Sequence, residues 1–301
     1  MRHHLFAVSQ ALFVVFLWAT SWVFVKIGLQ DIPPITFAGL RYFLAFCCLL
    51  IVISLNGSKS DLRNLPHNAW MQFLILGILF YAGTQGAIFV ALAYLPAVTV
   101  NLLWSFSSVI VAIFGIFWLS ERPAVLQWGG ILLAIAGAII YFMPITIPQS
   151  QLFGVVIAGI GILANAISSI LGRDINRSGK FQPLVVTVVS MGAGSIILLL
   201  AGLFIEGFPI IKLEGWAIIL WLALVNTAFA FTLWNHTLRT LTAMESSIIN
   251  GTMMIWIPIF AVLFLGENVT GKEIIGLIVV GAGTLIVQLK ITPTKSKPSV
   301  N

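Results

Sequence analysis

Ten apolar runs, each close to the length of a bilayer crossing, follow one another with only short polar connections between them. A helix needs about 20 consecutive apolar residues to cross a hydrocarbon core. The runs predict spans at roughly 6–27, 34–55, 70–93, 97–119, 124–143, 153–173, 183–204, 216–238, 243–265 and 272–289. With 60% hydrophobic residues and only 8% charged ones, a soluble domain of this length could not cover its core. Alternating ten-residue segments are missing, which argues against a membrane β-barrel. The fold class expected is an all-α polytopic membrane protein of ten helices.

Local signals agree with this reading. Pro34, Pro123 and Pro183 fall near span starts, where a missing N–H costs little. Thr270 and Glu273 have the spacing of a capping box for the last span. The N-terminus is basic and then apolar like a signal peptide, but Lys26 stands where a small-residue cleavage site would be, so it reads as a retained first helix. Cys47 and Cys48 are neighbours in an apolar run and read as packing residues. The formal charge of +6 sits in alternate short loops rather than on one helical stripe, which argues against nucleic acid.

Those loops orient the chain by the positive-inside rule. With the N-terminus cytoplasmic, Arg2, Lys59, Arg63, Arg122, Arg173, Arg177, Lys180, Arg239, Lys290, Lys295 and Lys297 fall on the cytoplasmic side. Only Lys212 and Lys272 fall opposite, with Lys26 and Arg41 near the outer ends of spans one and two. The expectation is N-in and C-in at the cell membrane, with a disordered cytoplasmic tail at 291–301.

Shifting the sequence by 146 residues superposes its halves. Trp70 falls on Trp216, Ala97 on Ala243, Phe114 on Phe260, Glu121 on Glu267, Gly130 on Gly276 and Gly137 on Gly283. Residues 6–143 and 153–289 thus form two repeats of five spans. An odd number of spans per repeat inverts the second relative to the first. Inverted repeats are the architecture of secondary transporters, in which equivalent halves close alternately around a central site. Glu121 and Glu267 are read as structural, each capping a helix end or pairing with a nearby basic group.

The stretch Leu17-Trp18-Ala19-Thr20-Ser21-Trp22-Val23-Phe24-Val25-Lys26 resembles the W-G-S/T-x-F-V-x-x-K opening of EamA-type carriers in the drug/metabolite transporter superfamily. ALAYLPAVTVNLL…WLSERPAVLQWGGILLAIAGAIIYF and PIFAVLFLGENVTGKEIIGLIVVGAGTLI resemble the corresponding blocks of its two repeats. The resemblance covers about residues 6–290. It implies ten helices in two EamA repeats and export or exchange of small metabolites, amino acids among them. One departure is Ala112, where Pro258 of the second copy has no counterpart, which leaves a kink in span four open.

Polar residues inside spans are costly unless they face the bundle or a wet cavity. Trp18, Ser21, Trp22 and Val25 share one face of span one, and Asn165, Ser168, Ser169 and Gly172 one face of span six. Asn101, Trp104, Ser105 and Ser108 do so in span four, with Ser247, Asn250, Gly251 and Met254 as their partners in span nine. Spans three and eight add Tyr81, Gln85, Thr227, Trp234 and Asn235. The alternative for any single Ser or Gly is helix packing without a ligand. As a set, Trp and Asn suit a small molecule with an apolar body and a polar end, such as an aromatic or branched amino acid, or a weakly basic drug. The substrate-binding candidates are Trp18, Ser21, Trp22, Tyr81, Gln85, Asn101, Trp104, Ser105, Asn165, Ser168, Ser169, Trp234 and Asn250.

Lys26 and Arg41 could draw a carboxylate to the outer mouth, but snorkelling at helix ends is the favoured reading. Glu245 reads as complementing the start of span nine, and His236 as interfacial. The small residues Gly130, Ala134, Gly137, Ala138, Gly276, Gly281 and Gly283 of spans five and ten read as scaffold packing or a homodimer contact. No catalytic set, metal site or cofactor motif is expected, and the partners expected are a small-molecule substrate and the lipid bilayer. The function expected is export or exchange of small metabolites, most of all amino acids. Efflux of cationic drugs is the alternative, although span one lacks an acidic residue. A nucleotide-sugar or sugar-phosphate exchanger would want a cation at mid-membrane, and none is expected there. A non-transporting scaffold would normally add a soluble domain.

Overall fold

A computed structural model of the chain describes residues 2–55, 65–119, 125–143, 148–177, 180–238, 240–241 and 243–288. Among them, ten helices are long and apolar enough to cross a membrane. These are His3–Gly28, Pro34–Leu55, His67–Tyr94, Ala97–Phe114, Val125–Phe142, Gln149–Gly172, Pro183–Ile205, Leu213–Trp234, Ile248–Leu265 and Gly271–Gln288, named spans one to ten below. Glu121 and the tail 291–301 lie outside the described residues. Spans three, six and eight begin three or four residues earlier than their apolar runs, at His67, Gln149 and Leu213. Hydropathy marks where the apolar run starts, whereas backbone hydrogen bonding continues into a polar first turn.

The capping box forms as read. Thr270 N–H and Oγ1–H donate to Glu273 Oε2 at 2.7 and 2.8 Å, and Glu273 N–H donates back to Thr270 Oγ1 at 3.3 Å. Pro183 sits in the first turn of span seven, where no N–H is needed.

Spans five and ten pack on each other so closely that four glycines at their contact have no room for a Cβ. A Cβ on Gly130 would lie 2.8 Å from the Gly283 carbonyl oxygen, and one on Gly283 would lie 2.6 Å from that of Gly130. Gly137 and Gly276 stand in the same relation, at 2.9 Å in both directions. Under the repeat offset Gly130 becomes Gly276, and Gly137 becomes Gly283. The two contacts are therefore one contact seen from each half, and their order makes the helices antiparallel. An inverted repeat requires this. Spans two and seven also run antiparallel, with Gly39 against the Leu199 backbone and Gly202 against that of Thr36.

Irregularities repeat as well. Span three contains a π-helical segment at Ile78–Gln85, and span eight contains one at Leu224–Phe229, starting at equivalent positions. Each wide turn is held by a threonine hydroxyl donating to a carbonyl five residues back, Thr84 to Leu79 at 2.9 Å and Thr227 to Leu222 at 2.8 Å. Span four breaks at Phe106 and span nine at its equivalent Thr252, where the N–H groups bond to Leu103 and Ile249, three residues back. Pro258 lies in the continuous helix that follows the second break. The missing proline at position 112 therefore does not spare span four its interruption.

Candidate functional site: a polar centre between the repeats

The two π-helical turns meet the same pair of residues on span two. Tyr81, from the first turn, sets its ring edge-on to Tyr42 with centroids 5.5 Å apart. Its repeat equivalent, Thr227, accepts a hydrogen bond from Arg41 Nε at 3.1 Å. Tyr42 O–H donates to Gln85 Oε1 at 2.8 Å. The Arg41 guanidinium lies over the Tyr42 ring at 5.1 Å and near the Phe89 ring at 5.8 Å. π-turns recur at functional positions because they widen the helix and re-aim its side chains.

Arg41 does not snorkel. Its position seven residues into span two placed it near a helix end, but it is only 6% exposed and is covered by spans three and eight. A buried cation is thus present among the spans, seven residues from the start of span two. Among the described residues no carboxylate pairs with it.

A second cluster joins spans one and eight. Trp18 packs between Phe231 and Trp234, with centroids 5.3 and 5.2 Å away. Its indole N–H donates to the Asn226 carbonyl at 3.1 Å, while the Asn226 amide nitrogen reaches back to the Leu17 carbonyl and to Thr20 Oγ1. Asn226 is fully buried, and its Oδ1 has no hydrogen-bond partner. Asn226 was not among the residues singled out from sequence, although a lone Asn in the run Leu222–Ala230 was a visible signal.

A third cluster joins spans four and six. Asn165 Nδ2 donates to Ser107 Oγ at 2.6 Å, and Trp104 lies against Gly161. Asn101 is buried with its Nδ2 unpaired. The serines behave differently. Ser21, Ser105, Ser108, Ser168 and Ser169 each donate to a carbonyl three or four residues back on their own helix. Such hydroxyls are satisfied without a ligand.

The structure therefore brings together Trp18 with Trp234, Tyr81 and Gln85 around Tyr42, and Asn165 with Ser107 of span four, one turn from where Trp104 meets Gly161. Trp22 is buried in the main core, whereas Ser169 and Asn250 are exposed.

One end of the bundle, which carries Lys26, is tied by charged groups. Lys26 Nζ donates to the Leu92 and Leu95 carbonyls at 2.5 and 2.7 Å, at the end of span three. Glu267 accepts from the Ala97 and Val98 N–H groups at 2.6 and 3.0 Å, capping span four from the other repeat. The chain can turn back there because Gly266 adopts φ 65°. Glu206 likewise caps span two through Ile35, Thr36 and the Thr36 hydroxyl. Helix N-termini carry free N–H groups and positive potential, so a carboxylate is their natural partner. A pocket of about 310 Å³ opens beside these ties, lined by Lys26, Gln30, Leu92, Ala93, Leu265 and Glu267 among others. The expected helix-capping role thus holds for Glu267. At the other end, His4 Nε2 lies 2.9 Å from Glu245.

Two stretches of the chain, residues 5–143 and 149–289, each match the EamA-like transporter family. The chain belongs to the EamA-like transporter family. It is a multi-pass cell-membrane protein of this transporter family. A probable amino-acid metabolite efflux pump of Salmonella typhimurium is 28% identical over 297 residues, spanning 92% of each chain. The uncharacterized transporter YoaV of Bacillus subtilis is 23% identical over 283 residues, 90% of this chain and 92% of its own. The uncharacterized inner membrane transporter YedA of Escherichia coli is 25% identical over 283 residues, 90% of this chain and 84% of its own. A solved crystal structure shares the fold with a TM-score of 0.67 at 16% identity, covering 93% of this chain and 96% of the other.

Proposed function

We propose that this EamA-family protein is a secondary transporter that exports or exchanges small metabolites, amino acids foremost, by alternating access. The observation that carries the reading is the polar centre. Aromatic rings, amides and a guanidinium form three clusters, on spans one and eight, on spans two, three and eight, and on spans four and six, in a bundle whose two halves mirror one another. Trp18, Tyr81, Gln85, Asn101, Trp104, Asn165 and Trp234 form the binding surface, with Asn226 beside them. Trp and Tyr faces take an apolar body, and the amides orient its polar end. The relative named as a probable amino-acid metabolite efflux pump supports the same substrate class.

In the orientation given by the basic loops, the Lys26 end faces away from the cytoplasm. Alternation then requires the Glu267 and Glu206 caps to open, because both bind one repeat to the other across that end. A second reading, efflux of cationic compounds, draws on the Trp18–Phe231–Trp234 cluster, since aromatic faces attract cations.

The test is counterflow in proteoliposomes of the purified chain, with the twenty amino acids and a quaternary ammonium compound as substrates. Accelerated exchange of at least one amino acid is the expected result. An intact protein that moves none of them overturns the proposal.

A further inference from the structure

Arg41 is the charged side chain that the fold buries most completely among the described spans, at 6% exposure. A guanidinium has five N–H donors in a planar fork, and it keeps its charge in a protein. Here Nε alone is engaged, by Thr227 Oγ1. The other compensation comes from the faces of Tyr42 and Phe89. Neither ring accepts a proton in the plane of the fork, and among the described residues no hydrogen bond from an Nη group is found. Buried cations are ordinarily paired, because an unpaired charge in an apolar interior is costly.

Three features make this more than a packing curiosity. Arg41 and Tyr42 are the point where both π-helical turns converge, so the cation stands between the repeats rather than within one. Through Tyr42 the cluster is coupled to Gln85, which is half-buried and accepts the Tyr42 hydroxyl, leaving its amide N–H₂ free to donate. The repeat equivalent of Arg41 is Thr187, a half-buried residue whose hydroxyl is spent on the Pro183 carbonyl. The fold therefore supplies one cation here, where its symmetry would provide two.

We infer that Arg41 is the anchor for an anionic group of the transported molecule, and that this group is a carboxylate. The inference rests on the transport reading above and narrows it. A guanidinium fork matches the two oxygens of a carboxylate, and a single positive charge balances a single negative one. A phosphomonoester dianion would call for a second cation, and none stands beside Arg41 among the described residues. Cationic compounds are disfavoured at the same point, because the group meeting them carries their own sign. When the carboxylate arrives, the Nη groups gain acceptors and the Gln85 amide donates beside them.

The experiment uses the full-length chain in proteoliposomes. Equilibrium binding is measured for L-leucine, L-phenylalanine and L-threonine, for their primary amides, for glycerol phosphate and for tetramethylammonium. At least one free acid is expected to bind about tenfold or more tightly than its amide, the usual worth of a hydrogen bond to a charged group. In Arg41→Gln, that acid and its amide are expected within about twofold of each other. Arg41→Lys keeps the charge without the fork and is expected to retain part of the preference. If Arg41→Gln fails to fold, the parent's acid-to-amide ratio and the Arg41→Lys variant decide the matter by themselves. Amides binding as tightly as acids to the parent, or a preference unchanged in Arg41→Gln, overturns the inference and leaves transport standing. Tighter binding of glycerol phosphate that depends on Arg41 overturns the carboxylate assignment. Failure of every compound to bind, in a chain that also exchanges none of the twenty amino acids in counterflow, overturns the transport reading together with this one.

Discussion

Where spans five and ten meet, the two repeats are chemically alike, with Gly130 matching Gly276 and Gly137 matching Gly283 across one backbone-to-backbone contact. In the polar centre the same offset pairs Arg41 with Thr187, Phe80 with Asn226, Tyr81 with Thr227 and Gln85 with Phe231. The brace keeps its symmetry and the centre has lost it. Shape must be shared if two halves are to exchange roles, so residues that set the distance between helices stay small in both. A ligand has no two-fold axis of its own, and the residues proposed to meet it differ between the halves. Even so, the backbone devices persist in the centre. The π-turns start at equivalent residues, and so do the breaks at Phe106 and Thr252.

The strongest way to break this comparison is to load the brace. Gly137→Leu and its mirror Gly283→Leu should each cost about 3 kcal/mol or more, because the new side chain meets backbone atoms that cannot step aside. Thermal unfolding in detergent should show the two losses to be alike. Gly129→Ala, one residue from the contact with nothing within 4 Å of its Cβ, should leave the midpoint unmoved. Unequal losses in the mirror pair would mean that the symmetry is only nominal.

Next in size is the tie at the Lys26 end. Glu267→Ala removes a charged acceptor from two N–H groups and should cost about 2 kcal/mol. The same scan would register it, and a thiol placed by Ala93→Cys should become more reactive as that end opens.

Asn101→Leu should act in the opposite direction. It removes a buried donor that has no partner, so stability should rise by about 1 kcal/mol while exchange of the substrate falls. A variant that gains stability and keeps full exchange would place Asn101 outside the binding surface. The smallest effect belongs to Thr270→Ala, which dissolves the capping box of span ten for about 0.5 kcal/mol, with transport rates unchanged.

Much of this molecule was legible in its sequence because a bilayer leaves few solutions. Ten apolar runs and one repeat offset led to ten helices in two inverted sets, and Thr270–Glu273 led to a cap that forms as read. The small-residue stripes also pointed to close packing, and the structure shows that they meet each other within the chain. What the sequence hid was lateral and three-dimensional. Arg41 lies seven residues from a helix start, which along a single helix looks like an end; only spans three and eight, folded over it, bury it. Glu206 caps span two across 170 residues, a pairing that no local spacing announces. The π-turns depend on Thr84 and Thr227 bonding five residues back, and a threonine in an apolar run gives no sign of that choice. The serines show a further limit, since a polar stripe at helical spacing does not reveal that each hydroxyl donates to its own helix.

Alternating access around the centre, with the brace sealed throughout, is the claim on which the rest depends. Single cysteines at Ser105 and at Ala134, in a background of Cys47→Ser and Cys48→Ser, can be exposed to a membrane-impermeant thiol reagent from each side of sealed vesicles. The account predicts that Ser105→Cys is labelled from both sides, at rates that a transported amino acid shifts, while Ala134→Cys is labelled from neither. Labelling of Ser105→Cys from one side only, with no response to any amino acid, would contradict it.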